Sequence, residues 1–298
     1  MYLTHFGLNA APFALTPDTA FAFSSRAQRE ALDTLVLAVD GGEGFIKITG
    51  EVGTGKTLLC RRFLAHAAVS APADAAAGRY RTAYVPNPCL SPRSLLLAIG
   101  RELKFRIVNV NSDSEILETM NRSLLRLAAR GSRAVVCLDE AQAMPVETLE
   151  ALRLLSNLET EKRKLIQVVL FGQPELDQKL ARHDLRQLRT RISFHYQLSA
   201  LSSAETQVYL EHRLRMAGHR GNAVFPKDVA RAIHDYSRGV PRLVNIIAHK
   251  SLLLAYGQAS MRVTLRHARA AAKDTPQARG ASLLRLECPR WLRFGVRA

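Results

Sequence analysis

The stretch FIKITGEVGTGKTLLCRRFL, Phe45–Leu64, decides the fold of this 298-residue chain. Its opening, Phe45 to Thr49, is an apolar run that reads as a strand, and Leu58, Leu59, Phe63 and Leu64 return at helical spacing. Between them, Gly50–Thr57 satisfies G-x-x-x-x-G-K-[ST] without a mismatch. Glycines there let the backbone curl so that successive N–H groups point at one anion, and the helix N-terminus adds its positive end. Lys56 would place a full charge near the outer phosphates of a nucleotide, and the Thr57 hydroxyl would ligate Mg²⁺. The expected cradle is Gly50, Glu51, Val52, Gly53, Thr54, Gly55, Lys56, Thr57 and Leu58.

Working outward, further strands are expected at Thr82–Pro86, Ala134–Asp139, Leu165–Gly172 and Arg191–Leu198. Helices are expected at Ser94–Leu103, Ser114–Arg130 and Val146–Glu159. Continuous apolar runs suit strands buried on both faces of a parallel sheet, and strand–helix alternation argues for a three-layer α/β domain. After Leu198 the strands stop. Ser202 with Glu205 has capping-box spacing and opens a helix to about Met216, followed by helices over Lys227–Ser237, Pro241–Tyr256 and Leu265–Lys273. The expected division is residues 1–200 as the α/β core, 201–272 as a small helical lid and 273–298 as a loosely ordered basic tail.

Composition narrows the class. With 47% hydrophobic and 23% charged residues the chain is not mainly disordered, and it has no apolar stretch near the ~18 residues that cross a bilayer. The N-terminus lacks the basic start and apolar segment of a signal peptide. Four scattered cysteines, without a C-x-x-C pair, argue against a zinc site or disulfide framework and fit a reducing cytoplasm. Charge is uneven: residues 1–178 hold 20 basic and 19 acidic side chains, residues 179–298 hold 22 and 7. The excess suits an anionic partner, nucleic acid or an acidic membrane surface, or a solvated Arg-rich helical surface.

Further residues carry chemistry. AVVCLDEAQ, Ala134–Gln142, is an apolar strand ending in Asp139 and Glu140, where ligands bind in open α/β sheets. Asp139 would hold Mg²⁺, and Glu140 would orient and activate an attacking water, which makes a nucleotide binder a hydrolase. Gln173, just past the strand 165–172, either touches the terminal phosphate or lytic water or is a turn residue before Pro174. Arg186, Arg189 and Arg191 precede the last strand; one of them reaches a phosphate bound by a neighbouring subunit, or they form a basic helix end. Arg242 in Gly239-Val240-Pro241-Arg242 stands in a helix's first turn, against the macrodipole, which a bound anion would explain.

Taken together, MYLTHFGLNAAPF, GEVGTGKT, VVCLDEAQ, LSNLET, LFGQPEL, LRQLRTRI and GVPRLVN resemble the AAA+ ATPases of the ExeA/GspA type, and among them those of mannose-sensitive haemagglutinin (type IV) pilus biogenesis. The resemblance covers about residues 1–272. It implies a P-loop core with sheet order 5-1-4-3-2, a helical lid and ATP held between them. It further implies Gln173 as sensor 1, Arg189 or Arg191 as arginine finger and Arg242 as sensor 2, with Phe6, Phe13 and Val244 near the adenine; an apolar core contact is the alternative for the aromatics. Many AAA+ proteins have Asn at sensor 1, so Gln173 departs from the pattern. ExeA-type secretion proteins add a membrane helix and a peptidoglycan-binding module that this sequence does not reach, an expectation against a direct cell-wall role.

The function expected is Mg²⁺-dependent ATP hydrolysis by a homo-oligomer with ATP at subunit interfaces. That activity would drive or regulate assembly of a pilus or type II secretion-like machine with inner-membrane partners, from the cytoplasm or the membrane's inner face. The alternatives are a DNA-acting ATPase of the transposition-regulator kind, motivated by the basic C-terminal part, and an ATP-dependent scaffold.

Overall fold

The computed structural model describes residues 1–15, 21, 23–69, 79–107, 110, 112–160 and 163–279. In chain order the elements begin with α1 (Tyr2–His5) and α2 (Arg26–Asp40). There follow β1 (Phe45–Gly50), α3 (Lys56–Val69), β2 (Tyr80–Val85), α4 (Pro92–Glu102), α5 (Asp113–Ala129), β3 (Arg133–Leu138) and α6 (Val146–Ser156). Next come β4 (Ile166–Gly172), α7 (Glu175–Leu180), α8 (Arg186–Arg191) and β5 (Ile192–Leu198). A two-residue antiparallel ladder, Glu159–Thr160 with Arg163–Lys164, precedes β4.

The five main strands form one parallel sheet in the order β2-β3-β4-β1-β5, the expected order read from its other edge. Its inner strands are mostly apolar because both faces are covered; Lys47, Thr49, Arg133 and Gln167 are their polar members. On β3, Ala134, Val136 and Leu138 pack into one cluster with α4, α5 and α6, while Val135 and Cys137 pack into the opposite cluster with α2 and α3. On β4 the same alternation sends Val168 and Leu170 one way, Val169 and Phe171 the other. β5 departs from the expectation of burial on both faces. It is an edge strand, and Ser193, Phe194, His195 and Gln197 are exposed. Helix α2 was not legible as an element. It buries Gln28, Ala31, Leu35, Ala38 and Val39 along one side.

The chain divides into two compact units, Arg26–Ser199 and a second made of Met1–Ser25 with Ala200 onward. This corrects the expected 1–200 core: the first 25 residues belong with the C-terminal helices α9 (Ser203–Met216), α10 (Lys227–Ser237), α11 (Pro241–Gly257) and α12 (Leu265–Lys273). The cause is hydrophobic. Phe6, Leu8 and Phe13 are buried in one cluster with Leu210, Ile233, Val244 and Ile247. Main-chain bonds fix the segment, Asn9 N–H donating to Ala217 O at 2.7 Å, and Arg213 Nε donates to Pro12 O.

The Ser202–Glu205 capping box opens α9 as expected. Gly239, φ +70°, lets the chain press against Leu201, whose N–H donates to Gly239 O at 2.9 Å; a Cβ there would stand 1.9 Å from Leu201 O. The first residues of the expected loose tail are packed instead. Thr275 and Ala278 are buried, and Arg279 N–H donates to Tyr236 O at 2.8 Å. The rest of that basic segment, 280–298, lies outside the described residues.

Candidate active site

Parallel topology assembles the site. β1, β4 and β3 are neighbours, so the loops leaving their C-terminal ends, at Gly50, Gly172 and Leu138, lie side by side although about 120 residues of sequence separate the first of these positions from the last. The Gly50–Thr57 loop runs from β1 into α3, whose first turn contains no acidic residue to compete for its free N–H groups. Gly55 has φ +95°, and a Cβ on it would sit 2.4 Å from the Gln28 amide, which reaches over from α2 to the Thr54 carbonyl at 3.4 Å.

Lys56 is 5% exposed, and its Nζ donates to the carbonyls of Gly50, at 2.8 Å, and Glu51, at 3.0 Å. Burial pulls its ammonium down; Glu140, Asp139, Glu51 and Glu175 oppose that. The Thr57 hydroxyl donates to Asp139 Oδ2 at 2.7 Å. Asp139, 2% exposed, is held above the usual carboxylate range by burial, against hydrogen bonds from Thr57 and from the Glu140 N–H. The Tyr84 hydroxyl donates to the same Oδ2 at 3.4 Å and is itself pushed up to about 12, by burial and the Asp139 charge. Cys60 and Cys137 are both buried free thiols; the hydrogen bond between them and their burial push the Cys60 thiol up, which leaves it a packing group.

Glu140 adopts a left-handed conformation, φ 56° and ψ 39°, which turns its side chain off the line of β3. Its N–H donates to Asp139 Oδ1 at 3.0 Å, and its Oε2 accepts from Gln173 Nε2 at 3.1 Å and from Gln142 Nε2. Gln142 also accepts the Gln173 N–H, at 3.0 Å, through its Oε1. Thr57, Asp139, Glu140 and Gln173 are thus joined in one hydrogen-bonded chain, and Gln142 braces two of its members. Gln142 went unassigned in the sequence although it ends the quoted AVVCLDEAQ; its place three residues beyond Asp139 was the available signal.

The arginines separate. Arg191 is tied inward, its Nη1 donating to Arg153 O at 3.3 Å and Asn157 Oδ1 at 2.9 Å. Arg186 and Arg189 are exposed. Arg242 is exposed in the first turn of α11, which has no acidic side chain and no side-chain cap. Phe13 and Val244, expected near an adenine, are 2% and 0% exposed inside the helical unit, Phe13 edge-on to Phe225. The apolar core contact therefore accounts for both, since neither has surface left for a ligand.

A hydroxyl and a carboxylate in hydrogen-bonding contact are hard oxygen donors suited to Mg²⁺, so Thr57 and Asp139 fit that ion. Fold and loop together define a P-loop protein of the AAA+ class. Residues 39–180 match the AAA domain family. Over 263 residues the chain is 38% identical to general secretion pathway protein A of Aeromonas hydrophila, an alignment covering 88% of this chain and 46% of that protein. This chain is similar to the ExeA/GspA type of AAA+ proteins over nearly all of its described length, and it spans about half the length of that curated relative.

Solved structures agree on the fold. Cdc6p of Pyrobaculum aerophilum aligns with TM-score 0.63 at 18% identity, covering 87% of this chain and 71% of its own. The ORC2 protein of Aeropyrum pernix gives 0.63 at 19%, covering 89% and 72%. The RuvB branch migration motor of Thermotoga maritima gives 0.52 at 15%, covering 83% and 68%. Among the described residues no helix is long and apolar enough to cross a membrane.

Proposed function

We propose that this chain hydrolyses ATP with Mg²⁺, on the strength of one observation: the hydrogen-bonded chain Thr57–Asp139–Glu140–Gln173 beside the phosphate loop. Lys56 exchanges the carbonyls of Gly50 and Glu51 for phosphate oxygens. Thr57 and Asp139 hold Mg²⁺, which supplies charge neutralisation at the phosphates. Glu140 accepts a proton from the attacking water, and the Gln173 amide orients that carboxylate.

Glu140→Gln tests the assignment. It should bind ATP as the wild type does, with turnover reduced at least ~100-fold; equal turnover overturns the role given to Glu140.

Arg189, exposed at the end of α8, is the better-placed of the two finger candidates to reach a phosphate bound by a second copy, because Arg191 is engaged within its own chain. Arg242 is proposed to read phosphate from its uncompensated place at a helix start. The secretion relative supports a role in assembling an envelope machine, a pilus or type II secretion-like apparatus, with self-association and inner-membrane partners. A strain carrying Glu140→Gln should lose that assembly; normal pili and secretion there exclude the role. A second reading, an ATP-dependent switch on DNA, is favoured by the 22 basic against 7 acidic residues after position 178.

A further inference from the structure

Six of the 20 basic residues among positions 1–178 line a single cavity of about 530 Å³ on the α/β unit. They are Arg81 from β2, Lys104 and Arg106 from the turn after α4, and Arg122, Arg126 and Arg130 on and after α5; no carboxylate lines it. Counter-charge is scarce. Arg122 lies 3.9 Å from Glu118 and Arg81 Nε donates to Leu103 O at 3.3 Å, whereas Lys104, Arg106, Arg126 and Arg130 have no ion-pair partner among the described residues. Spacing by four residues puts the α5 arginines on one stripe, about 6 Å apart along the axis. Like charges at that spacing each cost a few tenths of a kcal/mol in helix stability.

Lys104 adds a second cost. It has φ 56° at the end of α4, in the turn where the Phe105 N–H closes back on Gly100 O at 2.8 Å, a position that favours glycine. Keeping a lysine in a glycine's conformation and three arginines in repulsion is explained by an anion that meets them together.

The shape decides which anion. The apolar lining is Leu103, which is buried, and Leu127 and Phe105, which are half-buried against the core, and a flat bilayer does not enter a concave site. Phe105, packed by part of its surface against the core, leaves the rest of it lining the cavity among the cations. A line of cations with one aromatic ring is the arrangement that follows a flexible sugar-phosphate strand and stacks a base. We propose that this cavity binds the backbone of single-stranded nucleic acid. The inference does not rest on ATP turnover, because the binding is read without nucleotide.

Fluorescence anisotropy of labelled oligothymidine with the full chain tests it, titrated between about 50 and about 200 mM salt. The charge swap R126E/R130E should weaken binding at least ~10-fold and reduce the log–log salt slope by about 1.4, at ~0.7 for each single-strand phosphate that is no longer neutralised. R266E/R269E, an equal charge change at exposed positions of α12, should bind as the wild type does. Lys104→Gly should weaken binding while melting at or above the wild-type temperature, which separates the missing charge from any failure to fold.

The proposal is overturned if the wild type does not bind, if both double variants bind equally poorly, or if R126E/R130E binds normally. It is also overturned if tripolyphosphate at matched phosphate concentration displaces the strand completely, which would assign the cavity to a small anion. Anionic phosphatidylserine vesicles bound with the same variant dependence would assign it to a membrane instead.

Discussion

Gln142→Ala is the most informative perturbation of the active site, because Gln142 touches the two groups that matter without itself facing a phosphate. Its Nε2 donates to Glu140 Oε2, and its Oε1 accepts the Gln173 N–H at 3.0 Å. Hydrogen bonds to charged groups are worth about 1.5–3 kcal/mol and neutral ones about 1 kcal/mol. Ordering of the Glu140 carboxylate by Gln142 is therefore worth about 2 kcal/mol in the transition state. That is roughly 30-fold in kcat, at 1.36 kcal/mol for each factor of ten. Affinity for ATP should change less than about twofold, since no bond of Gln142 is made to the phosphate loop. Steady-state phosphate release gives kcat and KM, and equilibrium titration with a fluorescent ATP analogue gives binding. Combining Q142A with E140Q should give the rate of E140Q alone, because a positioning group has nothing left to position. The reasoning is refuted if kcat is unchanged, if affinity falls as far as kcat does, or if the double variant is slower by a further 30-fold.

Other outcomes follow from the same geometry. Burial holds the Asp139 carboxyl above its usual range, so the folded state keeps that proton longer than the unfolded chain and loses stability as pH rises through the raised value. Without nucleotide D139N should therefore melt above the wild type at neutral pH, with the gap closing as pH falls below the carboxylate range, while Mg²⁺-dependent protection by nucleotide disappears; a gap constant with pH sinks the assignment. Mixing R189A with K56A should restore turnover that neither shows alone, because an intact loop then meets an intact arginine from another copy; an inactive mixture excludes Arg189 in trans. Gly239→Ala combines φ +70° with a Cβ 1.9 Å from Leu201 O and should cost about 3 kcal/mol, read as a lowered denaturant midpoint at unchanged m. An unaltered midpoint would mean that the chain at Leu201 relaxes readily.

Much of this architecture was readable because it rests on short-range rules. The runs at 45–50, 133–138 and 166–172 are dominated by apolar residues since helices cover both sheet faces, and Ser202 with Glu205 marks the start of α9 to the residue. The ends of α10 and α12 also fall where the pattern put them. What escaped depends on distant partners. Helix α2 mixes Arg26, Arg29, Glu30 and Asp33 with its apolar side, and Gln28 has meaning only once Thr54 lies above it. Phe6 and Phe13 announce burial but not in which unit; only their packing against α9, α10 and α11 settles that. Within the site the motifs gave Lys56, Thr57, Asp139 and Glu140, while the bridge through Gln142 requires β3 and β4 to be neighbours. Arg191 could not be told from Arg189 by sequence, because the difference lies in Asn157, 34 residues earlier.

The pairing of Met1–Ser25 with residues beyond 200 has a consequence for how the molecule comes into being. Synthesis delivers Phe6, Leu8 and Phe13 long before the side chains they are to meet, which lie beyond residue 200. The sheet can close while translation continues; the opening segment must wait, greasy and unmatched, until α12 emerges. Removing α9 to α12 would therefore strand Phe6, Leu8 and Phe13, and the lesion would show as aggregation driven by that exposed segment.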